Sequence, residues 1–477
     1  MPVEQSVVDT KIPARLDRLP WARWHWMIVV GLGTVWVLDG LEVTIVGNLA
    51  PQLAKPDSGV DITAGQVSGL GAAIYVVGAC SGALFFGWLT DRFGRRKLFL
   101  ITLAVYLTGT ALTALSWTAW WFFICRFLTG FGVGGEYAAI NSAVDELIPS
   151  KHRGRIDIII NGSYWLGAAF GALLTIPILS SFPVGVGWRF AFALGVLLGL
   201  VILFVRRNVP ESPRWLIIHG HTDAAERLVG AVERRVSAAT GKELPEPRQE
   251  ISIRQRKSIG FGLIAKTLVT NYPKRATLGF WLFIGQAFLY NAITFGFADI
   301  LSTFFDVDTD TGYFYAVIAA GNFLGALTLA PLFDTVGRRK MISGTYILSG
   351  VLLLGTAYLF DRGSLTAVTL TACWCVVLFF ASAGSSSAYL TVSEIFPMET
   401  RALAIAFFYA IGTAAGGISG PMVFSTLVST GVPRDTALAF AIGAAVMIVA
   451  GLVEVLLGPN AERKGLESIA RPLTQQS

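Results

Sequence analysis

Twelve apolar runs, each close to the length of one membrane crossing, constrain this chain more than anything else in it. About twenty residues rising 1.5 Å each cross a hydrocarbon core of about 30 Å as one helix. The runs fall roughly at 27–48, 66–89, 98–116, 119–143, 156–180, 188–206, 277–303, 312–333, 341–360, 365–391, 403–429 and 436–457. The chain is 54% hydrophobic and only 14% charged, where a soluble domain carries roughly 25% charged residues. The expected fold class is therefore an all-α membrane protein with twelve transmembrane helices. Gly and Ser dilute the eighth and tenth runs, and small residues let helices approach closely in a bundle. The first twenty residues hold charges and three prolines but no apolar core, so no cleavable signal is expected.

Two phrases recur in order. Asp91–Lys97 reads DRFGRRK and returns almost half a chain later as DTVGRRK at Asp334–Lys340. Glu146, Pro149 and Arg153 return as Glu394, Pro397 and Arg401 at nearly the same offset. Ordered repeats mean a duplicated unit, and within a membrane this suggests a two-halved transporter. The expected division is a tail at 1–26, a six-helix bundle at 27–206, a linker at 207–276, a second six-helix bundle at 277–457 and a tail at 458–477. In the linker, Asp223–Ala238 has a helix start and apolar residues at Leu228, Val232 and Val236, the pattern of an amphipathic helix under the bundle.

The net charge of +6 does not point to nucleic acid, because of where the charge sits. An even number of spans puts both termini on one side. That side collects all 37 Lys and Arg except Lys55, Arg126, Arg189, Arg362 and Arg434. By the positive-inside rule it is the cytoplasm. Cys80, Cys125, Cys373 and Cys375 all fall inside apolar segments with no His nearby, so they read as reduced packing residues and not as metal ligands. No nucleophile–base pair, metal site or Gly-rich nucleotide loop emerges, which excludes the common enzyme classes and leaves no expected cofactor.

Gly87–Lys97 (GWLTDRFGRRK) resembles the signature loop between helices 2 and 3 of the major facilitator superfamily. The second half carries it with Ala330 in the leading Gly position and Thr335 in place of the first Arg. Within that superfamily, Pro210–Leu216 (PESPRWL), the Glu-Ile-Phe-Pro after Ser393 and Glu146–Pro149 followed by Arg153-Gly154 resemble the sugar porter branch. The resemblance covers nearly the whole chain. It implies a gating network of Asp91, Arg95, Arg96, Glu146, Arg153, Glu211, Arg214, Asp334, Arg338, Arg339, Glu394 and Arg401, whose pairs break when the inner side opens. A Glu and an Arg at the ends of helices 4 and 10 can pair across neighbouring helices, and Asp91 or Asp334 can accept from a helix N-terminus or an Arg.

The substrate-facing motifs depart from the branch. The helix-7 window, Gln-Gln-x-x-Gly-x-Asn in sugar porters, keeps Gln286 and Asn291 but loses one Gln and the Gly. The helix-5 Gln is Asn161, and Ser385–Tyr389 replaces the Gly-Pro-x-Pro-Trp run of helix 10. Candidate substrate-binding residues are Asn161, Tyr164, Trp165, Gln286, Tyr290, Asn291 and Tyr389. The scaffold is sugar-porter-like and the pocket is altered.

Ionisable residues inside spans are expensive and mark function. Asp39 and Glu42 lie three apart on one face of helix 1, and helix 4 carries Arg126 and Glu136. Asp39 sits roughly 22 Å above the inner end of helix 1 and Arg126 roughly 10 Å below the outer end of helix 4, at nearly one depth. An Asp39–Arg126 pair is the expectation. The resemblance points the same way, since proton-coupled sugar porters place an Asp near the Arg of an Arg-x-x-x-Gly motif, here Arg126 to Gly130. Asp39, Arg126, Glu42 and Glu136 are the candidate proton-coupling residues.

The function implied is alternating-access transport of a small polar metabolite, sugar-like or an organic acid, by proton symport. The Asp-Gly-x-acid phrase of helix 1 also resembles aromatic-acid:proton symporters. An uncoupled facilitator and a non-transporting receptor remain as rivals. Expected partners are the small-molecule substrate, protons and membrane lipid, with no nucleic acid and a functional monomer. The expected location is the cell (inner) membrane.

Overall fold

The computed structural model describes residues 7–63, 65–206, 210–247, 250–254, 270, 272–307, 310–396, 401–462, 464 and 469. Among them run twelve long helices, numbered here in chain order: Arg23–Leu53, Ala72–Phe93, Arg95–Ala114, Ala119–Leu147, Arg153–Ser181 and Val184–Arg206, then Pro273–Phe305, Thr311–Thr335, Arg338–Asp361, Ala367–Ile395, Arg401–Val428 and Pro433–Leu457. Ten are long and apolar enough to cross a membrane, and Val184–Leu200 is a shorter apolar stretch in the sixth. The fourth helix is diluted by Arg126, Glu136 and its glycines, yet it runs 29 residues and packs between the second and third. Exposed Trp120, Leu197, Tyr358 and Leu456 belong to the apolar outer surface that hydrocarbon covers.

Close helix contacts follow from the small residues. Gly78 and Gly82 of the second helix meet Phe127 and Phe131 of the fourth, and Gly130 and Gly134 of the fourth meet Tyr75 and Ala79 of the second. A Cβ at Gly130 would come within 2.1 Å of the Tyr75 carbonyl oxygen, so the two backbones touch where only Gly fits. Gly94 (φ 84°) and Gly337 (φ 113°) end the second and eighth helices in left-handed geometry. A tight turn at each repeated loop needs this freedom. Thr118 and Thr366 cap the fourth and tenth helices by accepting from the amides of Trp121 and Thr369.

The face that carries both termini has structure of its own. Strand β1 (Val7–Thr10) pairs antiparallel with β2 (Ile251–Arg254), Val7 opposite Arg254. This small ribbon, which lies outside the spans, is an addition to the all-α expectation. A helix at Thr222–Thr240 covers the expected amphipathic segment and buries Ala225, Val229, Val232 and Val236. The buried stripe thus runs through Val229, while Leu228 is half-buried. Short helices at Ile12–Asp17 and Pro213–Ile218 flank it. Arg15 binds Glu233 through two nitrogens (3.0 and 2.7 Å) and Arg18 binds it at 2.6 Å.

The first six and last six helices meet on both sides of the midplane. Toward the terminal face, Gly162 packs on Ala326 and Gly87 on Ala406. Toward the opposite face, the Ser68 hydroxyl donates to Asp299 at 2.9 Å. Between these contacts the bundle encloses a cavity.

Candidate functional site: a central aromatic cavity beside a buried ion pair

The cavity holds about 120 Å³, room for one small ring compound. Its walls come from seven helices, three or more from each half. All seven residues expected to bind substrate line it: Asn161, Tyr164 and Trp165 of the fifth helix, Gln286, Tyr290 and Asn291 of the seventh, and Tyr389 of the tenth. Trp36, Tyr75, Tyr137, Tyr409, Thr294, Ser385, Ser386 and Thr413 complete much of the wall. No charged side chain is among the lining residues.

Aromatic rings from both halves interlock around it. Trp36 stacks on Tyr137 with centroids 4.5 Å apart and an interplanar angle of 4°. Tyr389 meets Trp36 edge-on at 5.8 Å, and Tyr409 meets Tyr137 at 5.0 Å. Trp165 and Tyr290 cross the seam between halves at 5.0 Å. Offset and edge-to-face arrangements of this kind suit the aromatic quadrupole.

The polar atoms divide into held and unheld. Asn161 donates to Asn141 Oδ1 (3.0 Å) and to the Asp157 carbonyl (2.9 Å). Tyr290 donates to Asn322 Oδ1 (3.1 Å), and Asn291 donates to the Ala287 carbonyl (2.8 Å). Among the described residues, nothing pairs with Trp36 Nε1, Asn161 Oδ1 or Thr413 Oγ1, all buried. Burying such atoms unpaired is costly, and all three belong to residues that line the cavity.

The buried charges lie behind the wall. Arg126 pairs with Glu42 at 2.5 Å, and both side chains are 1% exposed. This corrects the expected partner by one helical turn: Glu42 is three residues beyond Asp39. Depth arithmetic resolves the level of a helix but not the reach of an Arg side chain, which easily spans that 4.5 Å rise. Asp39 is buried on the same helix. The ring of Tyr75 lies 4.8 Å from the Arg126 guanidinium carbon. Glu136 accepts from the Thr102 hydroxyl at 3.3 Å. Asp157, Asp299 and Glu454 are further acids within helices that the sequence reading passed over. Their signal was the one used for Asp39: a carboxylate inside an apolar run.

The loop residues form two networks at the terminal face. Arg95 pairs with Glu146, and Glu146 also accepts from the Ser212 hydroxyl. Glu211 accepts from the amides of Arg95 (2.8 Å), Arg96 (3.2 Å) and Ser212 (3.0 Å). In the second half, Arg338 is bidentate to Glu394 (3.0 and 2.9 Å) and donates to Asp334 (2.6 Å). Asp334 also accepts from the amide of Arg155 across the seam at 2.9 Å. Arg339 donates to the Val455 carbonyl, Arg214 is buried, and Arg153 lies 3.9 Å from Asp17. The repeated Glu residues thus each take the Arg that follows a loop Gly, from a neighbouring helix. The side chains of Asp91 and Arg401, and all of Pro397, lie outside the described residues.

Comparison with known proteins agrees with this architecture. Residues 26–473 match the family model described as sugar (and other) transporter. The niacin transporter NiaP of Acinetobacter baylyi is 28% identical over 466 residues, covering 96% of this chain and 99% of the relative. The arabinose-proton symporter of Bacillus subtilis is 25% identical, covering 85% of this chain and 86% of its own. The proton:xylose symporter XylE bound to 6-bromo-6-deoxy-D-glucose shares the fold, with a TM-score of 0.76, 18% identity and coverage of 94% and 98%. The inward-open form of XylE from E. coli scores 0.61 at 20% identity, with 93% and 98% covered. With a family model over nearly its whole length and transporters as its relatives, this multi-pass helical bundle is a transporter and not an enzyme, and the chain belongs to the sugar (and other) transporter family.

Proposed function

We propose that the chain is a proton-coupled symporter for a single-ring aromatic or heteroaromatic acid or amide, of the class of niacin and nicotinamide. The carrying observation is a cavity wall of aromatic rings broken by neutral amide and hydroxyl residues. Asn161, Asn291, Ser385 and Ser386 bring neutral polar groups to that wall. The Gln286 amide, also in the wall, offers a donor and an acceptor. A neutral carboxyl or carboxamide supplies the matching acceptor and donor on one edge of a ring that stacks between Trp and Tyr. A full negative charge would find no cation in the wall, which favours uptake of the acid together with a proton. The similarity to the niacin transporter over 96% of the chain supports the same class.

The buried Glu42–Arg126 pair supports proton coupling. Releasing the acid from Arg⁺ changes its proton affinity, so a movement of Arg126 exchanges a proton as the halves rock. The Arg155–Asp334 contact supports an arrangement closed at the terminal face, which we assign to the cytoplasm of a bacterial inner membrane from its basic residues. The two bundles at 27–206 and 277–457 act as the rocking bodies of a monomer.

A second reading, a pentose or hexose, is favoured by one observation: Gln286 and Asn291 stand where sugar porters carry a Gln and an Asn. Thermal-shift titration of the purified protein with niacin, nicotinamide, xylose and arabinose separates the two. Stabilisation by niacin or nicotinamide alone is expected. A shift with the pentoses and none with the pyridine compounds would sink the first reading.

A further inference from the structure

Tyr75 belongs to two places at once. It is part of the cavity wall, and its ring lies 4.8 Å from the Arg126 guanidinium carbon. The sequence explains the overlap. Gly130, four residues after Arg126, admits the Tyr75 backbone at a separation no Cβ would allow. Arg126, one turn earlier on that face, then sits against the Tyr75 ring. Gly134 repeats the contact against Ala79, and Gly78 and Gly82 return it against Phe127 and Phe131. Four backbone contacts hold the second and fourth helices in register. Any change at Arg126 is therefore taken up by side chains, and the Tyr75 ring is the one that reaches the cavity.

We propose that Tyr75 couples the Glu42–Arg126 ion pair to the substrate cavity, its ring serving on one side as the aromatic partner of Arg126 and on the other as a wall for the substrate. The inference rests on the proton-coupled reading above and goes beyond it by naming the connecting side chain. With the acid ionised, Arg126 is shared between carboxylate and ring. With the acid protonated, the ring is the partner that remains, and the cation holds it by its π-face. Ring orientation, and so the shape of the wall, then follows the proton. By linkage, the factor by which protonation changes substrate affinity is the factor by which substrate changes proton affinity.

The titratable groups facing this cluster come from several helices. Asp39 and Glu42 of the first, Tyr137 of the fourth and Tyr164 of the fifth all act on Tyr75 or are acted on by it. Tyr106 of the third and Tyr409 of the eleventh share the same acids or the same ring, Glu136 acts on Tyr106, and Cys125 lies beside Arg126. Of these, Tyr75 is the residue with both a guanidinium contact and a place in the wall.

The test measures the ratio of substrate affinities at an acidic and an alkaline pH, for the full chain in lipid nanodiscs. The probe is nicotinamide, which has no carboxyl group of its own to titrate, or, if nicotinamide does not bind, xylose. Because Tyr75 touches the cavity, absolute affinity is not the readout. Wild type is expected to show a ratio of about tenfold, typical of coupled sites. Tyr75→Phe keeps the ring and should keep most of that ratio. Tyr75→Leu, or Tyr75→Met if the first does not fold, should bring it within about twofold. Substrate-induced proton uptake in weak buffer should disappear with it. A Leu or Met variant that keeps the wild-type ratio overturns the proposal. So does a Phe variant that loses as much as Leu, since the hydroxyl and not the ring face would then be the link. A wild type with no pH dependence at all removes the proton-coupled reading itself, and this inference with it.

Discussion

The two halves of the bundle are alike at the terminal face and unlike at the midplane. In both, a Gly with positive φ ends a helix, and the Arg that follows it binds the Glu of the repeated Glu-x-x-Pro phrase: Arg95 to Glu146 and Arg338 to Glu394. A further acid from the segment after each half's last helix approaches the same loop, Glu211 at Gly94 and Glu462 at Gly337. At the midplane the likeness ends. The first half brings Asp39, Glu42, Arg126 and Glu136, all buried. The second half faces the cavity with amides and hydroxyls, Gln286, Asn291, Ser385, Ser386 and Thr413. The difference teaches that the repeated loops stayed alike while the buried charges gathered in the first half; on the proposed reading that half carries the proton, and both halves contribute walls for the substrate.

The largest expected effect tests the shared hardware. Arg338 satisfies two buried carboxylates, so Arg338→Ala leaves both without their cation. Breaking a buried ionic network this way costs about 3–5 kcal/mol. Arg95→Ala should cost less, because it strips the cation from one carboxylate, Glu146, which keeps the Ser212 hydroxyl as a donor. Thermal unfolding in detergent compares the two variants. Equal losses would mean that the second carboxylate on Arg338 adds nothing to its worth.

Next comes the specialised charge. Glu42→Gln removes the ion-pair partner of Arg126 while keeping size. It should still allow exchange of substrate across proteoliposomes, which needs no net proton cycle. Accumulation driven by a pH gradient should fall by about tenfold for each pH unit imposed, the full worth of that gradient. Asp39→Asn is the matched control one turn away. If Glu42→Gln accumulates substrate normally and Asp39→Asn does not, the proton resides on Asp39, and the Arg126 partner is a static packing device.

On the proposed reading the second half contributes to recognition without carrying the proton, and Gln286→Ala sharpens that contrast. Losing one hydrogen-bonding side chain from the cavity should weaken substrate binding by about 1 kcal/mol, or roughly fivefold. The pH ratio of binding should stay at the wild-type value. A change in that ratio would show that the second half's amide is coupled to the buried charges of the first.

How much of this was legible before the structure depends on range. The spans, the repeats and the amphipathic linker helix are local patterns, and each stands out within about twenty residues. The ribbon between Val7–Thr10 and Ile251–Arg254 pairs segments at opposite ends of the first half and carries no turn signal joining them. The cavity residues of the fifth, seventh and tenth helices were reachable because the family resemblance said which helices face inward. Trp36, Tyr75, Tyr137 and Tyr409 were not. In a helix apolar all round, an aromatic ring looks the same whether it faces lipid, core or cavity, and periodicity cannot sort the three. The Arg126 partner was placed at the right depth and one turn away, the resolution that a rise per residue supplies.

The smallest effect concerns a clasp that touches the first half. Arg15 and Arg18 of the N-terminal tail bind Glu233 of the linker helix, and Asp17 accepts from the amide and hydroxyl of Ser150. Burial raises the proton affinity of Glu233, but the Arg15 and Arg18 guanidiniums outweigh it, and its carboxyl sits below the ordinary glutamate value of 4.5. Its contribution to docking is therefore complete above that value and is lost as pH falls through the lowered one. The carboxylate is 14% exposed, and partly exposed pairs contribute about 1 kcal/mol or less. A spin label at Lys11 should report an ordered tail from neutral pH down to the ordinary glutamate range. Below it, mobility should rise by about two- to fivefold in population. Glu233→Gln should raise mobility at neutral pH and flatten the acid response. A tail that loosens in acid as much in Glu233→Gln as in wild type would assign the clasp to Glu226 of the same linker helix or to Asp17, which binds the loop before the fifth helix.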